Sequence, residues 1–227
     1  MKKLSKCPTS KEKNLGTEYF SLALCAFGGL GLEMLYAYLI EPAVYGYGIA
    51  DFTPAQSILH WIITCITWGI VAFFLLRYAK RELGFTLNTP GKKTKLCQWL
   101  ISGLLILIMT LINIADIGEL KIFHEFKKMI PLEFTFQHIY YLVETILFTL
   151  IIVFGQIAME KWLKRTNIPF GGILAGITWG LAHWFTKGSL TIGLMGILVG
   201  FLFGTAYLIL NRDLRKTYLV LALAFIL

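Results

Sequence analysis

The chain has 227 residues, of which 57% are hydrophobic and only 15% charged, with a mean hydropathy of +0.70. An ordinary soluble domain is nearer a quarter charged, so this composition excludes one and points to an all-α, polytopic membrane protein. The net charge of +8 lies in short segments between apolar runs. It therefore reads as loop bias and not as a surface for nucleic acid.

The first 18 residues carry Lys2, Lys3, Lys6, Lys11 and Lys13. The apolar run that begins near Tyr19 has no clear small-residue cleavage pattern, so it predicts a retained first helix over 19–40. Further helices are expected at 57–79 and 97–117. The segment 118–136 mixes three acids, three lysines and four phenylalanines. It reads equally as an amphipathic helix on the membrane surface or as a solvated loop. Helices over 137–159, 168–186 and 189–210 complete six expected spans. The apolar stretch 217–227 is only 11 residues, about half a hydrocarbon core at about 1.5 Å per residue. It predicts a half-helix, or the start of a span that a longer chain would continue past Leu227. Residues 1–227 are read as a single transmembrane domain.

The basic residues set the expected orientation. Segments 1–18, 77–95, 160–167 and 211–216 hold 17 of the 21 lysines and arginines. Lys121, Lys127, Lys128 and Lys187 are alone in the alternate loops, and loop 41–56 has only the acids Glu41 and Asp51. The positive-inside rule then puts the N-terminus in the cytoplasm.

Within the spans, glycines recur every fourth residue at Gly172, Gly176 and Gly180, and again at Gly196, Gly200 and Gly204. Such stripes let helix backbones approach closely where lipid offers no hydrophobic drive, so the two are expected to face each other or a shared partner. His183 continues the first stripe and should point into the bundle. Ionisable side chains inside a span are costly and mark candidate sites. They are Glu33, Glu144 and His183, with Gln156, Asn113, and the face His60, Thr64 and Thr67 beside them. His60 and Asp116 fall near span ends, where His60 reads as interfacial and Asp116 as solvated. Cys7, Cys25, Cys65 and Cys97 read as apolar fillers or free thiols. The four histidines show no ligand spacing, so neither a metal nor a cofactor is expected.

From Phe154 onward the residues form an ordered pattern. Lys164-Arg165-Thr-Asn-Ile-Pro-Phe precedes Trp179-Gly-Leu-Ala-His183, and the glycine-rich helix Gly193 to Gly204 follows. This last third of the chain resembles the core of the CAAX-protease and bacteriocin-processing (CPBP) family of intramembrane proteases. That family carries a Glu-Glu-x-x-x-Arg segment, a Phe-x-x-x-His segment and a later His-x-x-x-Asn or Asp. In it a glutamate and a histidine are thought to activate water, while another His and Asn help bind the oxyanion. The second motif fits Trp179 to His183. Aligned without gaps, the first motif falls on Leu150, Ile151 and Gly155, which supply neither carboxylate nor guanidinium. A gapped alignment instead puts Glu144 and Phe148 there and still lacks the arginine. At the third motif, Leu221 and Phe225 occupy the approximate positions.

The resemblance implies a protease-like core over 137–227 in which catalysis is impaired or lost. The expected role is then binding of a peptide or membrane-protein partner in a bacterial plasma membrane, as in bacteriocin self-immunity. Three further readings stay open, the plainest being a purely structural membrane protein in which His183 is merely hydrogen-bonded within the bundle. Another is an active divergent peptidase using Glu144 and His183 as catalytic residues, helped by His60 or Glu33. The third is a small transporter or transporter accessory relaying protons through Glu33, Glu144 and His183.

Overall fold

A computed structural model describes residues 10–87 and 93–227; Lys2, Lys3, Lys6, Cys7 and Lys92 lie outside them. Every regular element among the described residues is a helix. Helix α1 (Ser10–Leu35) runs on through a π turn (Tyr36–Ile40) into Glu41–Tyr45 and stops at Gly46, whose φ of 80° is left-handed. Helix α2 (Pro54–Glu82) opens with a capping box: Thr53 Oγ1 accepts from the Gln56 N–H, and Gln56 Oε1 accepts from the Thr53 N–H. Helix α3 (Leu96–Ile117) follows, then the short amphipathic α4 (Lys121–Lys128). The segment 118–136 is thus helical in its middle rather than a loop. Its last part is helical for another reason, because α5 (Pro131–Leu163) starts six residues earlier than expected, with Pro131 at its first turn.

Helix α6 comprises Phe170–Ala175, a π turn (Gly176–Gly180) and Leu181–Lys187. Helix α7 (Leu190–Ile209) is capped by Ser189, and α8 (Leu214–Ile226) by Asp213, whose carboxylate accepts from the Lys216 N–H. Five helical stretches are long and apolar enough to cross a membrane: Asn14–Tyr45, Pro54–Glu82, Leu96–Ile117, Pro131–Leu163 and Leu190–Ile209. Helix α6 is not among them, since its 18 residues include four glycines, His183 and Lys187.

Helix α5 is the axis of the bundle. Leu147 to Gln156 is an unbroken buried run, and a helix apolar all round is one surrounded by others. Helices α1, α2, α6 and α8 pack around it. The peripheral α2 and α3 leave Ile66, Ile70, Phe73, Phe74, Leu104, Leu107 and Leu111 exposed, an apolar belt suited to lipid.

The two glycine stripes meet. A Cβ on Gly172 would lie 2.5 Å from the Gly200 oxygen, and one on Gly180 would lie 2.5 Å from the Gly196 oxygen. The close approach is therefore backbone on backbone. At the basic end of the bundle, Gln156 accepts from the Gly171 N–H and donates to Glu160 and to the Ile168 oxygen. Arg212, in a left-handed turn with Asn211, donates to Glu160. These bonds pin the α5–α6 turn to the α7–α8 turn.

Candidate functional site

The polar side chains of the spans gather in the half of the bundle away from that basic knot, in two constellations. The first is built on Trp179, which lies within the π turn of α6. Its indole Nε1–H donates to Glu144 Oε1 at 3.0 Å, and its backbone oxygen accepts from His183 Nδ1 at 2.8 Å. A carbonyl only accepts, so this bond fixes the proton on Nδ1 and leaves Nε2 with no partner among the described residues. The two rings lie 4.2 Å apart, and Phe148 and Phe225 pack on Trp179 at 4.7 and 5.5 Å. The structure therefore brings together the two residues singled out from the sequence, Glu144 and His183, through a third that sequence reasoning treated only as a motif aromatic. Both are half-buried.

Leu150 and Ile151 are 1% and 0% exposed in the core, and Gly155 abuts Leu174. The glutamate beside Trp179 and His183 is Glu144, which the gapped alignment selects; the ungapped positions fill the bundle axis. Leu221 is fully buried, and Phe225 stacks on Phe203 as well as contacting Trp179. Helix α4 closes this end: Lys121 Nζ donates to the Phe225 oxygen at 2.9 Å and lies 3.7 Å from the Tyr141 ring centroid. Burial pushes the Lys121 ammonium below its usual range, against the pull of Glu125 and Glu144. Tyr141 donates to Glu125 at 2.6 Å.

The second constellation centres on His60, which sits near the start of α2. His60 is 1% exposed. Its Nδ1 faces both Glu41 oxygens at 2.8 and 3.0 Å, and its Nε2 faces Glu33 Oε1 at 3.3 Å. The Tyr140 hydroxyl donates to the same Glu33 oxygen at 2.7 Å. Sequence reasoning put Glu41 in an acidic outer loop; it is helical and buried. The π turn explains its reach. Eight residues of regular helix would leave Glu41 about 80° round from Glu33; absorbing one residue in a wide turn cuts that to about 20°.

The remaining candidates disperse. Thr64 is buried beside His60 on α2 without a partner, while Thr67 bonds Tyr36 and the Ile63 oxygen. Gln156 sits in the basic-end knot, Asn113 is half-buried on α3, and Asp116 is exposed as expected. Cys25, Cys65 and Cys97 are free. Among the described residues no three His, Cys, Asp or Glu side chains have the arrangement of a metal site. Tyr140 could have been found as the residue one turn before Glu144 on the same face; nothing in the sequence marked the π turn that delivers Glu41. Compared with family models, curated proteins and solved structures, the chain finds no match.

Proposed function

We propose that this chain is an integral protein of a bacterial plasma membrane, with six spans and a cytoplasmic N-terminus, on a scaffold resembling the CPBP intramembrane proteases. Proteolysis of that family's kind is impaired or lost. The work left to it is holding a peptide or a membrane-protein partner, bacteriocin self-immunity being one such role. Support for the sixth span is that α6 links the basic end to the opposite end of the bundle. Its 18 residues rise about 27 Å, close to a hydrocarbon core.

Phe225 carries the reading. It packs on Trp179 at the approximate position of the family's later polar motif, and Leu221 one turn before it is equally apolar. Acyl-transfer chemistry needs oxyanion donors there, and losing even one costs about 10²–10³ in rate. One observation favours the second reading, a divergent peptidase: Glu144 and His183 are held by the same tryptophan. In that reading Glu144 takes the proton of the attacking water, which must come within about 3 Å of it. His183 Nε2 would then face the reacting carbonyl.

N-terminal peptide profiling of host membranes separates the two. The wild type, Glu144→Gln and His183→Ala are compared at equal abundance. Identical profiles in all three are expected for a binding protein. Cleavages present in the wild type and lost in both variants would overturn that reading and install a displaced catalytic glutamate.

A further inference from the structure

The His60 constellation has a proton count that can be read from its geometry. Both ring nitrogens face carboxylate oxygens, which accept hydrogen bonds and cannot donate them when ionised. Glu33 Oε1 already accepts from Tyr140. A neutral imidazole carries one proton, so one nitrogen of the buried ring would present a lone pair to a carboxylate. Satisfying every contact takes one proton more than a neutral histidine and two carboxylates possess. No lysine or arginine pairs with Glu33 or Glu41 among the described residues, so the cation the geometry offers them is the protonated ring.

A second observation lies on the same face of α2. Thr64 and Trp68, one and two turns after His60, are 0% and 1% exposed, and neither Thr64 Oγ1 nor Trp68 Nε1 has a hydrogen-bond partner. The Trp68 ring lies 5.0 Å from that of Tyr140. Unpartnered polar atoms are costly in an apolar interior, and these two continue the face of α2 that carries His60.

We propose that Glu41, His60, Glu33 and Tyr140 form a proton-binding site, distinct from the Glu144–Trp179–His183 arrangement, which holds His60 as an imidazolium clasped between two carboxylates. The clasp ties the outer length of α1 to α2 and, through Tyr140, to α5. Glu33 and Glu41 on α1 and Tyr140 on α5 belong to the clasp, and the titratable groups near enough to feel the Glu33 charge are Cys65 on α2, Tyr141 and Glu144 on α5, and His183 on α6. Glu33 is the member whose charge reaches both constellations. Losing the proton would set two carboxylates and a bare nitrogen against one another and release α1 from its neighbours.

The test is nitrogen NMR of the full chain, with labelled histidine, in lipid nanodiscs at neutral pH. The His60 resonances are assigned by their loss in His60→Gln. The wild type is expected to show both His60 ring nitrogens protonated. Glu144→Gln should leave that signature in place. Glu33→Gln/Glu41→Gln removes both balancing charges and should convert the ring to its neutral form, with one bare nitrogen. A bare nitrogen on His60 in the wild type would overturn the proposal, as would loss of the signature in Glu144→Gln or its survival in the double variant. If the double variant fails to fold, the wild-type and Glu144→Gln spectra decide.

Discussion

A single residue, Trp179, links two polar side chains of different helices, Glu144 and His183. It donates to Glu144 from its ring and accepts from His183 at its backbone, so both groups are tied to the π turn of α6. A hydrogen bond to a charged acceptor contributes more than one between neutral groups, and leaving the acceptor bare in an apolar site costs more still. Trp179→Phe keeps the ring packing on Phe148 and the backbone bond to His183 while deleting the donor to Glu144. We expect it to lower stability by about 1–3 kcal/mol, read from unfolding in detergent micelles. Trp179→Phe/Glu144→Leu removes both ends of the bond and should recover most of that loss. An unchanged midpoint in Trp179→Phe would mean that the Glu144 contact contributes nothing to the fold. Sequence reasoning found Glu144 and His183 because ionisable groups stand out in apolar helices. It could not find the tie between them, since an indole in such a helix looks like one more packing side chain.

At the scale of helices, the pairing of α6 with α7 was legible because its cause is written at a fixed spacing. Glycine every fourth residue in two adjacent apolar helices leaves little else for the backbones to do, and Gly172, Gly180, Gly196 and Gly200 lie against one another as that spacing requires. Gly172→Val would place its side chain into the Gly200 oxygen and Gly204 Cα, already 2.5 and 2.7 Å from a bare Cβ. We expect overpacking of about 1–3 kcal/mol or more, seen as a lowered unfolding temperature in micelles. Gly28 in α1 is the contrast, for a Cβ there meets nothing within 4 Å. Gly28→Ala should be neutral or stabilising by up to about 1 kcal/mol, through helix propensity alone. Equal losses for both substitutions would refute the stripe as the seam. The two π turns were not legible, because a wide turn arises from packing across helices and has no local residue signature. They are also where the site departed most from expectation: one delivers Glu41 to His60, and the other carries Trp179.

At the scale of the whole molecule, charge and buried polarity separate along the bundle axis. The Glu12–Lys164 ion pair, the Arg212–Glu160 bonds and the Gln98–Asn211 bond gather the chain's basic segments at one end. The opposite end holds Lys121, Lys127, Lys128 and Lys187, with His60, Glu33, Glu41 and Glu144 in the half of the bundle beneath them. Because 17 of 21 basic residues fall in the segments of one end, the positive-inside rule predicts a cytoplasmic location for that end. In a cysteine-free background, Lys128→Cys should then react with an impermeant maleimide in intact cells. Arg165→Cys, exposed at the basic end, should react only after lysis. The reverse labelling would invert the molecule, and labelling of both from one side would remove a span from the topology. The outcome also fixes which compartment the His60 site lies nearer. That site is in the half of the bundle at the Lys128 end, so labelling of Lys128→Cys from outside puts the clasp on α1 closer to the external medium than to the cytoplasm.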